Sequence, residues 1–332
     1  PDTGRMNMCT SIAMKTSDFY FGRTMDLDRE FHTSVVITPR NYPIAFRRSS
    51  VLRRHNAMIG MASIADNYPL YAEAANEKGL CMAALNFPDS ADYSPTEDPR
   101  KANVSPFELI HWILGQCDSV EEARRLLGTT HLIRIPFSDE FPLTPLHWHI
   151  ADRESSVTLE NTENGLRLYN NSAGVLTNNP AFHFQLTNLC QYMNLSSGYP
   201  KNCFSDLEGV APFGQGLGSF GLPGDYPPSS RFVKAAWLLL NSICPGSDPG
   251  SLAQLFHILD SVSIIRGSVL SQNDACDTTT YACGINATRG IYYYRTYTNN
   301  QLTAVDLRHE NLDAQILRIF PLVVSQQVSW AN

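Results

Sequence analysis

The chain has 332 residues, 43% hydrophobic and 17% charged, with a formal net charge of −7. That composition is globular and sufficient for one large core, and the acid excess argues against nucleic acid as a partner. No stretch approaches the ~20 apolar residues of a membrane span, so no membrane partner is expected either.

Pro1-Asp2-Thr3-Gly4-Arg5 lacks the apolar core of a signal peptide, and the eight cysteines include no C-x-x-C pair. Both features predict a soluble cytoplasmic protein with reduced thiols.

Met8 to Asp26 reads as two short strands hinged on Ser17-Asp18, the first of small, apolar and β-branched residues and the second aromatic. Ser34–Thr38, Ala57–Ala65 and Leu70–Ala75 follow as strands, the second apolar enough to be buried on both faces. Glu77-Lys78-Gly79 turns into Leu80–Leu85, which ends at Asn86. Ala91 to Ala102 is a polar surface loop, and the basic run of Arg47, Arg48, Arg53 and Arg54 reads as a solvated face.

Two helices are announced by capping-box spacings, Ser105-Pro106-Phe107-Glu108 and Ser119-x-x-Glu122, the second stopping near Gly128. His147 to Tyr169 predicts three short strands with a hairpin turn at Glu163-Asn164-Gly165. Phe182–Leu195 is expected to be helical. Ser196 to Pro228, rich in Gly and Pro, is an excursion from the core. It contains Gly216-x-Gly218-x-x-Gly221, but no strand precedes this pattern and Pro223-Gly224 stands where a helix should open, so a dinucleotide site is rejected. Helices follow at Ser230–Ile243 and after Asp248-Pro249-Gly250. The tail returns to strand at Thr279–Ile285, Gly290–Thr298, Leu302–Asp306 and Gln315–Phe320. Runs of helices and runs of strands predict layers, not βαβ alternation.

The opening hairpin carries the chemistry. It would return Cys9 beside Arg23 and Asp26, bringing a thiol, a guanidinium and a carboxylate within reach of one another. With Cys9 as first residue, its α-amine (reference pKa ~8) could take the proton of its own thiol (~8.5). Arg23 would favour the thiolate and Asp26 would orient the ammonium, with no catalytic histidine. The residues alone leave open a buried cysteine beside an ordinary Arg–Asp pair. His147 and His149 share one strand face but offer only two metal ligands, so a structural role is expected and no metal or cofactor is. A papain-like pairing of Cys9 with a histidine has no recognisable setting.

Met8-Cys9-Thr10 followed by Phe21-Gly22-Arg23-x-x-Asp26 resembles the opening of the choloylglycine hydrolase family, which contains bile salt hydrolases and penicillin V acylases. The likeness continues through Asn76-Glu77-Lys78-Gly79-Leu80, Leu85-Asn86-Phe87, Thr177-Asn178-Asn179-Pro180, Ser230-Arg231-Phe232 and Gly290-Ile291-Tyr292-Tyr293-Tyr294-Arg295. The bile salt hydrolase branch resembles the chain more closely than the penicillin V acylase branch.

The resemblance implies a four-layer αββα sandwich, an α+β fold of the N-terminal nucleophile hydrolase type. It also implies hydrolysis of the amide joining a bile acid to glycine or taurine. Cys9 then matches the nucleophile, Arg23 the residue beside the thiol and Asp26 the partner of the amine. Asn178 matches an oxyanion donor, Asn86 a residue near Cys9, and Arg231 an active-site arginine. Arg231 also begins a helix, a poor place for a cation unless an acid faces it. Read without the family, Asn86 and Asn178 are equally turn residues. Thr24 stands where the family motif commonly has asparagine.

Residues 1–8 read as a tag or propeptide-like extension and 9–332 as one domain. The family implies a homotetramer, with Ser196–Pro228 as the candidate assembly element. Two alternatives remain at this stage: a penicillin V acylase-type hydrolase, and a non-catalytic bile-acid or lipid-binding relative.

Overall fold

The computed structural model describes residues 8–28, 32–244, 246–271 and 274–332; most of the expected N-terminal extension therefore lies outside the described residues. The chain runs β1 (Met8–Lys15), β2 (Phe19–Leu27), β3 (Thr33–Thr38), β4 (Met58–Ala65), β5 (Tyr68–Asn76), β6 (Cys81–Asn86), β7 (Ala102–Val104), α1 (Leu109–Leu114), α2 (Val120–Gly128) and β8 (Thr130–Leu132). It continues with β9 (Leu146–Ala151), β10 (Ser156–Thr162), β11 (Gly165–Asn170), β12 (Val175–Leu176), α3 (Phe182–Leu189), α4 (Pro228–Asn241), α5 (Asp248–Asp260), β13 (Thr278–Asn286), β14 (Ile291–Thr296), β15 (Asn299–Asp306) and β16 (Arg318–Pro321).

Two antiparallel sheets stack face to face. The first has the order β12-β1-β2-β13-β14-β15 and the second β11-β10-β9-β6-β5-β4-β3-β16. The two-residue periodicity of strands decides what each face meets. On β3, Val35 and Ile37 point into the inter-sheet core, while Val36 faces Leu109, Ile113 and Leu114 of the α1 layer. Phe232, Leu255 and Phe256 of α4 and α5 cover the outer face of the first sheet. The layers are αββα, as the family resemblance implied.

Close approach of α5 depends on paired glycines. Gly22 and Gly284 oppose each other across β2 and β13. A Cβ at Gly284 would lie 2.5 Å from Leu255 Cδ2, and one at Gly22 would lie 2.8 Å from the Cys283 oxygen.

Both spacings mark a helical start, but at Ser105 only the backbone half of the box forms, its Oγ having no hydrogen-bond partner among the described residues, and a 3₁₀ turn at Pro106–Glu108 precedes α1. Glu122 N–H donates to Ser119 Oγ at 3.3 Å, and Ser105 N–H donates to the Glu108 carboxylate at 2.8 Å. The expected helix from Phe182 to Leu195 is shorter: α3 ends at Leu189 and tightens into a 3₁₀ turn at Cys190–Tyr192, a common way to finish a helix. The helix expected to start at Ser230 begins at Pro228, with proline in the first turn. The short parallel pair β7–β8 was not anticipated, being only three residues a side. The Gly216–Gly221 segment holds a single 3₁₀ turn, Leu217–Ser219, and no preceding strand.

Gly60 tests the tightness of the second sheet, because a Cβ there would fall 2.0 Å from the Glu73 oxygen and 2.7 Å from Ala74 Cβ. Gly60→Ala is expected to cost about 3 kcal/mol or more, at or beyond the upper end of ordinary overpacking penalties. Gly128→Ala meets nothing within 4 Å and should be neutral or stabilising by roughly 0.5–1 kcal/mol. Chemical denaturation of the two variants measures the contrast.

Candidate active site

Cys9 lies near the start of β1, opposite Met25 of β2 and 2% exposed. Strand alternation splits its surroundings between two faces of the first sheet. On the inner face, Arg23 Nη2 donates to Cys9 Sγ at 2.8 Å and Met25 Sδ is 3.9 Å from the same sulfur. On the outer face, Arg231 of α4 donates through Nη1 to the Cys9 oxygen and to Thr10 Oγ1, both at 2.6 Å. Its Nη2 donates to Asn178 Oδ1 at 2.8 Å, and its Nε to the Tyr226 oxygen at 2.8 Å. The cation at the start of α4 is thus held by oxygens of other elements, which resolves its conflict with the helix dipole.

Asn178 joins the two faces. Its Oδ1 accepts the Cys9 backbone N–H at 2.9 Å, and its Nδ2 donates to the Asn86 backbone oxygen at 2.8 Å. The neighbouring Asn179 turns elsewhere and donates to the Pro88 oxygen and Ser90 Oγ. Asp26 sits on the outer face, where it accepts from Thr24 Oγ1 at 3.2 Å and Thr279 Oγ1 at 2.5 Å. The structure therefore gathers Cys9, Arg23, Asp26, Asn86, Asn178 and Arg231 around one point, although Asp26 and Arg23 approach it from opposite sides.

The thiol is under opposing influences. Burial pushes its pKa up; the Arg23 and Arg231 charges pull it down, and the Asp26 charge pushes it up. Burial also raises the Asp26 carboxyl, against the lowering effect of Arg231 and the two threonine hydroxyls. Arg231 is itself held below its ordinary value by burial, while Asp26 and Cys9 act to keep it charged.

His147 and His149 lie between the sheets and do not approach the thiol. His147 Nε2 pairs with the Thr177 oxygen at 2.9 Å and its ring stacks on Phe87. His149 bridges Ser11 Oγ and Ser156 Oγ, and burial, with His147 close by, pushes it down to about 3. Among the described residues, no group of three or more His, Cys, Asp or Glu side chains is placed to hold a metal ion.

A buried cysteine fixed by an inner arginine, with its backbone nitrogen fixed by an asparagine, is the setting in which the family likeness can be judged. Residues 9–320 match the family of linear amide C-N hydrolases described as the choloylglycine hydrolase family. The chain belongs to the choloylglycine hydrolase family.

Within this family, the bile salt hydrolase/transferase of Lactiplantibacillus plantarum is 44% identical over 95% of this chain and 97% of its own length. The Clostridium perfringens protein of the same name is 38% identical over 98% of this chain and 100% of its own. A mutant of the conjugated bile acid hydrolase from Clostridium perfringens superposes with a TM-score of 0.91 at 36% identity, covering 98% of this chain and 100% of that one. The penicillin V acylase of Agrobacterium tumefaciens, at 18% identity and a TM-score of 0.74, covers 96% of this chain and 94% of that one and shares the fold.

Two groups of this choloylglycine hydrolase site escaped the sequence reading. Thr279 holds Asp26, and nothing in a threonine at a strand start signals that. Glu73 pairs with Arg23, and it carried a usable signal: a lone acid inside the small, apolar run Leu70–Ala75 is costly unless it is paired.

Since Arg23 lowers the thiol pKa and burial raises it, Arg23→Met leaves burial less opposed. Alkylation of the Cys9-containing peptide, followed by mass against pH, should move to higher pH by ~1–3 units. A profile unchanged in a folded variant would remove Arg23 from its position beside the thiol.

Proposed function

We propose that this chain hydrolyses the amide bond joining a bile acid to glycine or taurine, with Cys9 as nucleophile and residues 9–332 as one catalytic domain. The observation that carries the reading is the 2.8 Å contact from Arg23 Nη2 to Cys9 Sγ, made in a chain 44% identical to a protein named bile salt hydrolase/transferase. The name of that relative supplies the substrate class.

In the chain described, Cys9 is joined to Met8, so its nitrogen is an amide and cannot serve as a base. With residues 1–8 removed, the freed α-amine takes the thiol proton and the sulfur attacks the substrate carbonyl carbon. The C–N bond breaks as the amine returns that proton to the leaving nitrogen, releasing glycine or taurine. Water then adds to the thioester, expels the Cys9 sulfur and yields the free bile acid. Asn178 and a backbone N–H stabilise the oxyanion, Asn86 and Arg231 hold Asn178 and the Cys9 backbone in place, and Asp26 orients the amine. The sequence of steps calls on no metal or cofactor.

The reading extends to assembly and location. The family likeness implies a tetramer, and Phe204, Phe213 and Phe220, each at least 85% exposed, lie in the excursion that is the candidate assembly element; exposed aromatics in one segment are what a subunit interface would cover. The conjugated bile salt substrate would be met in the cytoplasm. No helix among the described residues is long and apolar enough to cross a membrane.

Intact mass and N-terminal sequencing, paired with glycine and taurine release from conjugated bile salts, test the reaction. A chain beginning at Cys9 should turn over, and a homogeneous chain retaining Met8 should not. Turnover of penicillin V alone would replace the substrate class, and steroid binding with no turnover by the Cys9-first chain would replace catalysis by binding. In the active form, Asn178→Ala should lower kcat by ~10²–10³, the usual loss for one oxyanion donor. Gel filtration reads the assembly, and a mass of one chain would remove the tetramer.

A further inference from the structure

Glu73 takes no step in the reaction above, yet it stands directly behind the group that touches the thiol. It lies on β5 of the second sheet with no exposed surface. Tyr292 OH donates to its Oε1 at 2.6 Å, Tyr281 OH to Oε2 at 2.8 Å, and Cys283 Sγ lies 3.5 Å from Oε1. Arg23 Nη1 is 3.4 Å from Oε2. Burial first, and the Glu73 charge with it, keeps both tyrosines well above their ordinary values. They therefore remain hydroxyl donors at any working pH, and the surroundings of Glu73 are those an acceptor-only carboxylate requires.

A guanidinium is a rigid planar fork, so fixing one end aims the other. Nη1 of Arg23 is fixed entirely by the second sheet: by Glu73 and by the Ala72 and Ala84 backbone oxygens at 3.1 and 2.8 Å. Nη2 is the nitrogen that reaches Cys9 Sγ. Nε donates to the Thr24 oxygen of its own sheet at 3.3 Å, so the nucleophile on one sheet is addressed by an arginine whose far nitrogen is held by the other.

We propose that Glu73 is a positioning residue for Cys9: anchored by Tyr281 and Tyr292, it holds the Arg23 fork so that Nη2 meets the sulfur. The inference rests on the reading of Cys9 as nucleophile. Two effects of Glu73 on the thiol have opposite signs, and this makes the role measurable. If Glu73 only balanced charge, neutralising it with Arg23 unmoved would strengthen the cation's field and lower the thiol pKa. If Glu73 aims Arg23, losing it lets the guanidinium leave the sulfur, and the thiol pKa rises.

The experiment follows alkylation of the Cys9 peptide by iodoacetamide against pH in Glu73→Gln, Arg23→Met and the double variant. Glu73→Gln is expected to move the midpoint up by about one unit, at the low end of the effect of a nearby charge, and to give no upward shift once Arg23 is gone. Glu73→Asp, which keeps the charge one methylene short, should fall between Gln and the parent. A downward shift, an unchanged midpoint, or an equal upward shift in the Arg23→Met background would overturn the proposal. If Glu73→Gln does not fold, Tyr292→Phe removes the 2.6 Å donor while keeping the ring. An upward shift that disappears in the Arg23→Met background then supports positioning, and no shift sinks it. Alkylation needs no bile salt, so a wrong substrate class would leave this result readable. Where turnover is seen, kcat should fall with KM little changed.

Discussion

A fully buried guanidinium is the constraint on which the two sheets agree. Removing one ion from water costs several kcal/mol even after relaxation, and Arg23 offsets this through partners drawn from both layers: its own sheet supplies the Cys9 and Met25 sulfurs and the Thr24 oxygen, and the opposite sheet supplies Glu73, Ala72 and Ala84. A one-residue slip in either sheet would turn these groups to the wrong face. Deleting either charge would strand the other in the core, a loss of ~3–5 kcal/mol in comparable pairs. Site geometry and fold register are thus one requirement.

An irregularity in β13 lets that requirement be met together with the outer half of the site. Asp26 and Met25 are adjacent on β2, yet they pair with Thr279 and Tyr281, which are two positions apart. The extra residue, Thr280, reverses the alternation. Thr279 can therefore meet Asp26 on the outer face while Tyr281 meets Glu73 on the inner one. In a regular ladder, Thr279 and Tyr281 would share a face and one of the two contacts would be lost. Bulges re-aim side chains in this way near functional sites.

The sequence displayed the parts of this arrangement that depend on local pattern. The β-forming residues on either side of the Ser17-Asp18 hinge, the capping spacings and the Gly-Pro excursion all became the expected elements, because each is decided within a few residues. Cys9, Arg23 and Asp26 could be placed on one hairpin for the same reason. Their odd spacing already puts Arg23 and Asp26 on opposite faces of a strand, but that Thr279 and Tyr281 serve one face each could not be read, since it depends on the β13 bulge, which no Gly or Pro marks. The partners of Arg231 were equally hidden: its oxygens come from Cys9, Thr10, Asn178 and Tyr226, brought together only by the docking of α4 on β1. Choosing Asn178 over Asn179 needed the family pattern. The geometry explains the choice, since Asn179 points to the loop after β6.

The outer face also bears on how an N-terminal amine would behave here. In the chain described, Asn178 Oδ1 accepts both the Cys9 N–H and Arg231 Nη2, so a nitrogen at this position stands close to a buried cation. Arg231 would oppose a second positive charge on a freed amine and pull its pKa below the usual ~8. Asp26, which lies on the same face, acts in the other direction. The balance matters because an amine serves as a base only while neutral. On the proposed mechanism Arg231 would favour the neutral amine that accepts a proton, and Arg23, across the sheet, favours the thiolate left when the thiol gives one up. Placing the two arginines on opposite faces of β1 and β2 lets each act mainly on one of the two groups that a single residue presents.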